Sequence, residues 1–298
     1  RLPLGLLGGA VILLAVTGPA ALFGMERTTD LSASEEALFT ALQEHDGGLW
    51  RIAGTDDALA FDLASTGPDT FFPDRSQSAL LDSLQRDRDG GDGNRLARDS
   101  LLGAKYILSE SPIPGLPEAD GLPTPEGLTL YENPCALPMA FAYRQSDIED
   151  LQDGDPRPLS RIYRQLFGEN ISIDLTEPGA LQALQAMADR CAASAAEIEL
   201  WPTVILCKLT AEANQQLFLS LPDDEGWYVW VNGVFTETEP LSGFFSIPLP
   251  AGEVRVTLRY YAPGATLGLI FSLSGLFILL LYGGQRILQR RNGAGTVL

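Results

Sequence analysis

Trp227-Tyr228-Val229-Trp230-Val231-Asn232-Gly233 decides the fold of the second half of this chain. Aromatic and β-branched residues suit a pleated, half-buried surface. The Asn-Gly pair that follows is a strong hairpin signal, because both residues tolerate positive φ. The segment therefore predicts a strand entering a tight turn. Trp227 and Trp230 stand three apart, so on a strand they point to opposite faces. One is expected in the core. The other is expected to be open, for contact with a glycan or with a membrane interface.

Working outward, the same period of two recurs over residues 197–201, 204–210, 217–221, 244–248 and 254–261. Short strands at close spacing predict a β-sandwich or jelly-roll-like module over residues 196–262. Upstream the pattern is mixed. Ser32 and Glu35 form a capping box before a helix with Leu38, Phe39 and Leu42 on one face. Helices are also expected over 78–86, 95–104, 159–167 and 178–193, with strands over 49–53, 106–109 and 128–131. Residues 111–125 hold five prolines and predict a surface connection; residues 147–158 form a polar break. Residues 25–195 thus read as a mixed α/β region.

Two blocks, residues 3–22 and 264–283, hold almost no charge. Each is 20 residues, about 30 Å of helix, the thickness of one hydrocarbon core. The first is long for a signal peptide and has no clear small-residue cleavage site, so a retained span over residues 1–24 is expected. The second, a span over 263–284, has Tyr260, Tyr261 and Tyr282 near its ends. Arg286, Arg290 and Arg291 follow in a tail over 285–298, expected on the cytoplasmic side. The fold class expected is a membrane-anchored α+β protein, its extracytoplasmic region flanked by two transmembrane helices.

The 298 residues carry a formal charge of −19. All 39 acidic residues lie between Glu26 and Glu253, and residues 25–263 hold 16 of the 20 basic ones, so residues 25–263 carry −23. Nucleic acid is excluded as a partner, because phosphate binding needs a basic face. Long acidic loops cross membranes largely regardless of charge, which places residues 25–263 outside the cytoplasm and makes the lipid bilayer the first expected partner.

Residue types for catalysis are sparse. His45 sits in a helix-end context, where an exposed C-terminal histidine is the simplest role. Cys135, Cys191 and Cys207 lack zinc-site spacing. Cys191 and Cys207 form a disulfide pair or remain buried thiols; the sequence leaves both open. Asp87-Arg88-Asp89-Gly90-Gly91-Asp92-Gly93 fails the calcium-loop register, with Arg98 where a glutamate is needed. Asn170-Ile171-Ser172 matches a glycosylation acceptor or an ordinary turn. No phosphate loop or nucleophile elbow occurs. No catalytic, cofactor-binding or metal-ligating residue is assigned, and no cofactor is expected in this chain.

Several segments in order resemble the C-terminal end of the bacterial YfhO family of membrane proteins. These are Leu101-Leu102-Gly103-Ala104-Lys105-Tyr106-Ile107-Leu108, then Leu130-Tyr131-Glu132-Asn133-Pro134-Cys135-Ala136-Leu137-Pro138, then Leu217–Gly233 with its hairpin stretch Gly226–Gly233, then residues 255–272. Trp50-Arg51-Ile52 is a weaker match. Asn232 stands where the family has an aspartate, and residues 87–94 look like a local embellishment. The resemblance implies a glycosyltransferase-like protein of the C type. Such proteins take sugar from a polyprenyl-phosphate carrier and modify envelope polymers such as teichoic acid or polysaccharide. It implies that this chain is a C-terminal portion, and that the catalytic carboxylate lies upstream of Arg1. The alternative expectation is a two-span scaffold, sensor or glycan-binding protein.

Overall fold

The computed structural model describes residues 33–46, 48, 51–53, 92–144, 158–168, 179–201, 203–223, 226–261 and 263–293. Thr29–Tyr260 forms one compact unit, and the C-terminal helix belongs to a second.

The first unit opens with α1 (Ala33–His45) and the short strand β1 (Arg51–Ala53). Then come α2 (Asp92–Leu101), β2 (Ala104–Ser109), β3 (Thr129–Glu132) and β4 (Ala140–Tyr143). Helices α3 (Pro158–Phe167) and α4 (Ala180–Ala192) follow. The rest is strand: β5 (Glu197–Trp201), β6 (Val204–Ala211), β7 (Gln216–Pro222), β8 (Trp227–Val231), β9 (Val234–Thr236), β10 (Phe244–Pro248) and β11 (Gly252–Tyr260).

These strands form three sheets, ordered β1-β2-β3, β10-β7-β4 and β5-β6-β11-β8-β9. All pairings are antiparallel except β1 with β2. The β10-β7-β4 sheet is the centre of the unit, because both its faces are buried. Phe141, Phe218 and Phe244 point into one cluster with Leu159, Ile162 and Tyr163 of α3 and Leu184, Met187 and Cys191 of α4. Their rings are tilted pairs 5.1 and 5.3 Å apart. Leu217, Leu219, Phe245 and Ile247 point the other way, against Ile205, Cys207, Val229, Val231, Val256 and Leu258 of the five-stranded sheet. A third cluster joins Leu38 and Leu42 of α1 to Ile52, Tyr106, Leu108 and Leu130. Burying each such side chain contributes roughly 1.5–3 kcal/mol.

Buried polar side chains stitch these layers. The register of β1 slips between Arg51 and Ile52, and all three of its residues are buried. Arg51 Nη1 donates to the Leu102 carbonyl at 2.5 Å and to the Ser220 carbonyl and hydroxyl at 3.0 Å. Desolvation lowers its pKa to about 10, so it stays charged at neutral pH. Asn133 Nδ2 donates to Ser100 Oγ at 3.1 Å and to the Ala104 carbonyl at 2.8 Å, and its Oδ1 accepts from the Cys135 amide at 3.0 Å. The aromatic-Arg-Ile and Tyr-Glu-Asn stretches are thus fastenings of the interior.

Among the described residues most expected elements are present, with two corrections and one open alternative decided. The helix expected to run to residue 104 stops at Leu101; Gly103 turns at φ 75° and β2 begins at Ala104. The strands expected to form a module after residue 196 do not close on themselves, because β4, from upstream, pairs with β7. Cys191 and Cys207 are free and lie in different clusters, so the disulfide alternative is not made. Burial pushes both thiols up to about 12. His45 closes α1 and is exposed, as expected.

The C-terminal helix, α5 (Ala265–Gly293), is 29 residues long and runs beyond the expected boundary at 284. Within it Leu267–Arg286 is long and apolar enough to cross a membrane. Its side chains from Leu267 to Leu273 are exposed, as a lipid-facing surface requires. Ser274 Oγ returns its hydrogen bond to the Ile270 carbonyl at 2.7 Å, leaving no donor for water. The first expected span, the helix expected at 78–86, the acidic stretch 147–155 and Asn170–Ser172 fall outside the described residues, as does most of the loop 87–94.

Candidate functional site on the open sheet face

Alternation on the five-stranded sheet decides which residues meet solvent. On β8 the residues Val229 and Val231 are buried, Trp227 packs against the same core, and Tyr228 and Trp230 point the other way. On β11 Val254, Val256 and Leu258 are buried, whereas Arg255 and Arg259 are exposed with Thr257 half-buried between them. The ladder places these outward residues in rows. One row runs Trp201, Val204, Arg259, Tyr228 across β5, β6, β11 and β8. The next runs Glu199, Leu206, Thr257, Trp230, Phe235 and reaches β9.

At one edge, Tyr228, Trp230 and Phe235 form a mutual cluster, with ring centroids 6.1–6.5 Å apart. At the other edge stands Trp201, 47% exposed. Three strand spacings separate Trp201 from Tyr228, about 14 Å. Between them a shallow cavity of about 260 Å³ is lined by Glu199, Trp201, Val204, Leu206, Arg255, Thr257 and Arg259.

The charges in this cavity are unevenly matched. Glu199 Oε1 accepts from Lys208 Nζ, the next outward residue along β6. Arg255 and Arg259 make no ion pair and no side-chain hydrogen bond among the described residues. In a chain with 39 acidic and 20 basic residues, two guanidiniums on one strand face, about 13 Å apart at the backbone and unpaired among the described residues, make this part of the face locally positive.

Local turn chemistry holds Arg255 in place. Asn232 and Gly233 adopt φ 51° and 82°, the pair of positive values that a tight hairpin between right-twisted strands needs. The Asn232 amide donates to the Arg255 carbonyl at 2.8 Å, and Asn232 Oδ1 accepts from the Arg255 amide at 2.9 Å. The hairpin is therefore bolted to β11 at the base of the Arg255 side chain.

Trp227 and Trp230 point to opposite faces, as their spacing predicts. Trp227 is the inner one: its ring lies 5.2 Å from that of Tyr260, beside buried Gly226. Only Trp230 belongs to the open face. Sequence reasoning did not single out Trp201, Tyr228, Phe235, Arg255 or Arg259. The period-two spacing Arg255-x-Thr257-x-Arg259 carried the signal, but only the pairing register brings those strands beside Trp201.

Two polar clusters lie elsewhere. Tyr143 Oη bonds Ser246 Oγ at 2.8 Å and Gln216 Oε1 at 2.9 Å, and Gln216 Nε2 reaches Glu239 at 2.9 Å. Asp46 accepts from Lys105 Nζ, from the Gly48 amide at 3.0 Å and from Tyr106 Oη at 3.3 Å. Both join strands or a helix end to a sheet. Among the described residues no group of three histidine, cysteine or acidic side chains is arranged to hold a metal.

A largely antiparallel α+β unit carrying an open aromatic and arginine face, in a chain with one helix among the described residues long and apolar enough to cross a bilayer, fits a membrane-associated protein with a folded domain. Residues 175–272 match the family model described as bacterial membrane protein YfhO. The match covers α4, β5 to β11 and the start of α5, and includes the whole open face. The stretches at 50–52, 101–108 and 130–138 lie outside it. No curated protein and no solved structure matches the chain.

Proposed function

We propose that this chain is the C-terminal extracytoplasmic portion of a multi-spanning, glycosyltransferase-like membrane protein. Its α+β unit lies outside the cytoplasm and serves the transfer of sugar from a polyprenyl-phosphate carrier to an envelope polymer. The YfhO-family region supports the class. The observation that carries the reading is the open sheet face, where exposed aromatic rings flank a cavity holding hydrogen-bonding and cationic groups. Sugars stack their C–H faces on such rings and bond polar groups at the ring edge. In this reading the face holds the acceptor polymer, and the carboxylate that activates the acceptor hydroxyl lies upstream of Arg1.

The test uses membranes from cells making the natural gene product and from a deletion strain. Transfer of radiolabelled sugar from polyprenyl phosphate to envelope polymer is expected only in the first. Equal transfer in both overturns the reading and leaves a membrane-anchored scaffold, sensor or glycan-binding protein.

A further inference from the structure

Beyond that general role, the open face carries a particular chemistry. We propose that the cavity between Trp201 and the Arg255–Arg259 pair binds one anionic saccharide unit, bearing a carboxylate or a phosphate. This deepens the reading of the domain as a sugar-handling one.

Three observations converge on it. First, Arg255 and Arg259 are four residues apart on one strand, so their side chains rise from the same face about 13 Å apart, with Thr257 between them, and both line the cavity. Neither makes an ion pair among the described residues. The nearest carboxylate lining the cavity, that of Glu199, is engaged by Lys208. Guanidinium groups match carboxylate and phosphate oxygens with paired donors. Second, the wall opposite is Trp201, on the edge strand and 47% exposed. An indole offers a flat apolar face and prefers a ligand that is apolar on one side and polar at its edges, as a pyranose is. Third, the cavity of about 260 Å³ is below the roughly 300–1,000 Å³ of sites for drug-sized ligands. It takes one small unit, and chain extension is directed along the face toward Tyr228, Trp230 and Phe235. Thr257, between the two arginines, supplies a hydroxyl donor and acceptor for the sugar's own hydroxyls.

A neutral glycan would use Trp201 and leave both guanidiniums idle. A purely electrostatic ligand, such as free inorganic phosphate, would use the guanidiniums and leave the indole and the aromatic cluster idle. An anionic saccharide uses all of them.

The experiment is titration of the full chain in uncharged detergent micelles, followed by tryptophan fluorescence and calorimetry. The probes are oligogalacturonate, a glycosylated polyglycerol phosphate, neutral cello-oligosaccharide and phosphatidylglycerol vesicles. Saturable binding of at least one anionic saccharide is expected, at least tenfold tighter than the neutral one and weakening as salt is raised. Whichever of the first two binds tighter identifies the anionic group. Arg255→Gln with Arg259→Gln is expected to weaken binding at least tenfold and to erase the preference over the neutral chain. Trp201→Ala is expected to weaken both charged and neutral binding. These three side chains are outside the core, and an unchanged circular dichroism spectrum checks the fold. Binding of neither anionic saccharide, equal binding of the neutral one, or association with the vesicles alone overturns the proposal. Sugar transfer by the whole protein with no binding at this cavity would sink the inference and leave the proposed function standing.

Discussion

Arg51 Nη1 lies 3.0 Å from the carbonyl oxygen of Ser220, a residue 169 positions later in the chain. This contact fastens the β1-β2-β3 sheet to the central sheet, and through it to the sheet that carries the open face. Arg51→Met removes the only described side-chain donor to both the Leu102 and Ser220 carbonyls. Buried polar groups left unpaired cost about 1–3 kcal/mol each. A loss of about 2–4 kcal/mol is expected, read as a lower denaturant midpoint for the full chain in detergent. Arg51→Lys should recover only part of it, because an ammonium on a shorter reach cannot reproduce the planar fork. A midpoint unchanged in Arg51→Met would mean that the fastening contributes nothing.

Gly226 lets the Tyr260 ring lie against the backbone at the start of β8. A Cβ at position 226 would stand 2.2 Å from Tyr260 Cε2, and the neighbouring Trp227 ring limits where Tyr260 can go. Gly226→Ala is expected to cost about 1–3 kcal/mol through overpacking. In Tyr260→Ala the same substitution should cost much less, because the clash has gone. Equal costs in both backgrounds would place the strain elsewhere.

The Asn-Gly hairpin acts on the open face through Arg255. Asn232→Asp keeps an acceptor for the Arg255 amide and a residue tolerant of positive φ, so the melting temperature should change little. Asn232→Ala loses both properties and should cost about 1–2 kcal/mol. Its anionic-saccharide affinity should fall as well, because the Arg255 backbone loses its bolt. An alanine variant as stable as the native chain would contradict this account of the turn.

Much of the fold was legible in the sequence, for identifiable reasons. The strands from Glu197 onward alternate because one face meets the core and the other solvent, and period two survives only in that situation. Ala140-Phe141-Ala142-Tyr143 is buried on both sides, so it shows no alternation and β4 went unread. The end of α2 was missed because Gly103 is a turn residue inside an apolar run, Leu101–Leu108, whose period does not announce the change from helix to strand. The open face was legible only in part. Trp230 is marked by its own spacing from Trp227, but Trp201 and Arg259 meet through ladder register across β6, which no local pattern encodes.

Asp99 is fully buried on α2, with Oδ1 paired to Arg98 at 3.0 Å and Oδ2 3.8 Å from Arg95 Nε. Burial raises its pKa above the ordinary aspartate value of 3.8, and the two arginines offset this only in part. A carboxyl whose folded pKa is raised weakens the fold at pH above that pKa. The penalty fades as pH falls toward 3.8, where the unfolded chain also takes up the proton. Asp99→Asn is therefore expected to melt at or above the native temperature at pH 7, with the difference closing near pH 4. A variant that melts lower at pH 7 would mean that the ion pairs outweigh the burial cost.

The account rests on the α+β unit lying outside the cytoplasm, with α5 crossing the membrane. Site-directed labelling in intact cells of the native host, with any cysteine outside this chain replaced, tests this most directly, because the three cysteines of this chain are buried and should stay silent. Glu253→Cys, at an exposed position near the start of β11, should react with a membrane-impermeant maleimide in intact cells. Asn292→Cys, near the end of α5, should react only after permeabilisation. Labelling of Asn292→Cys alone in intact cells, or of both positions, would contradict the account.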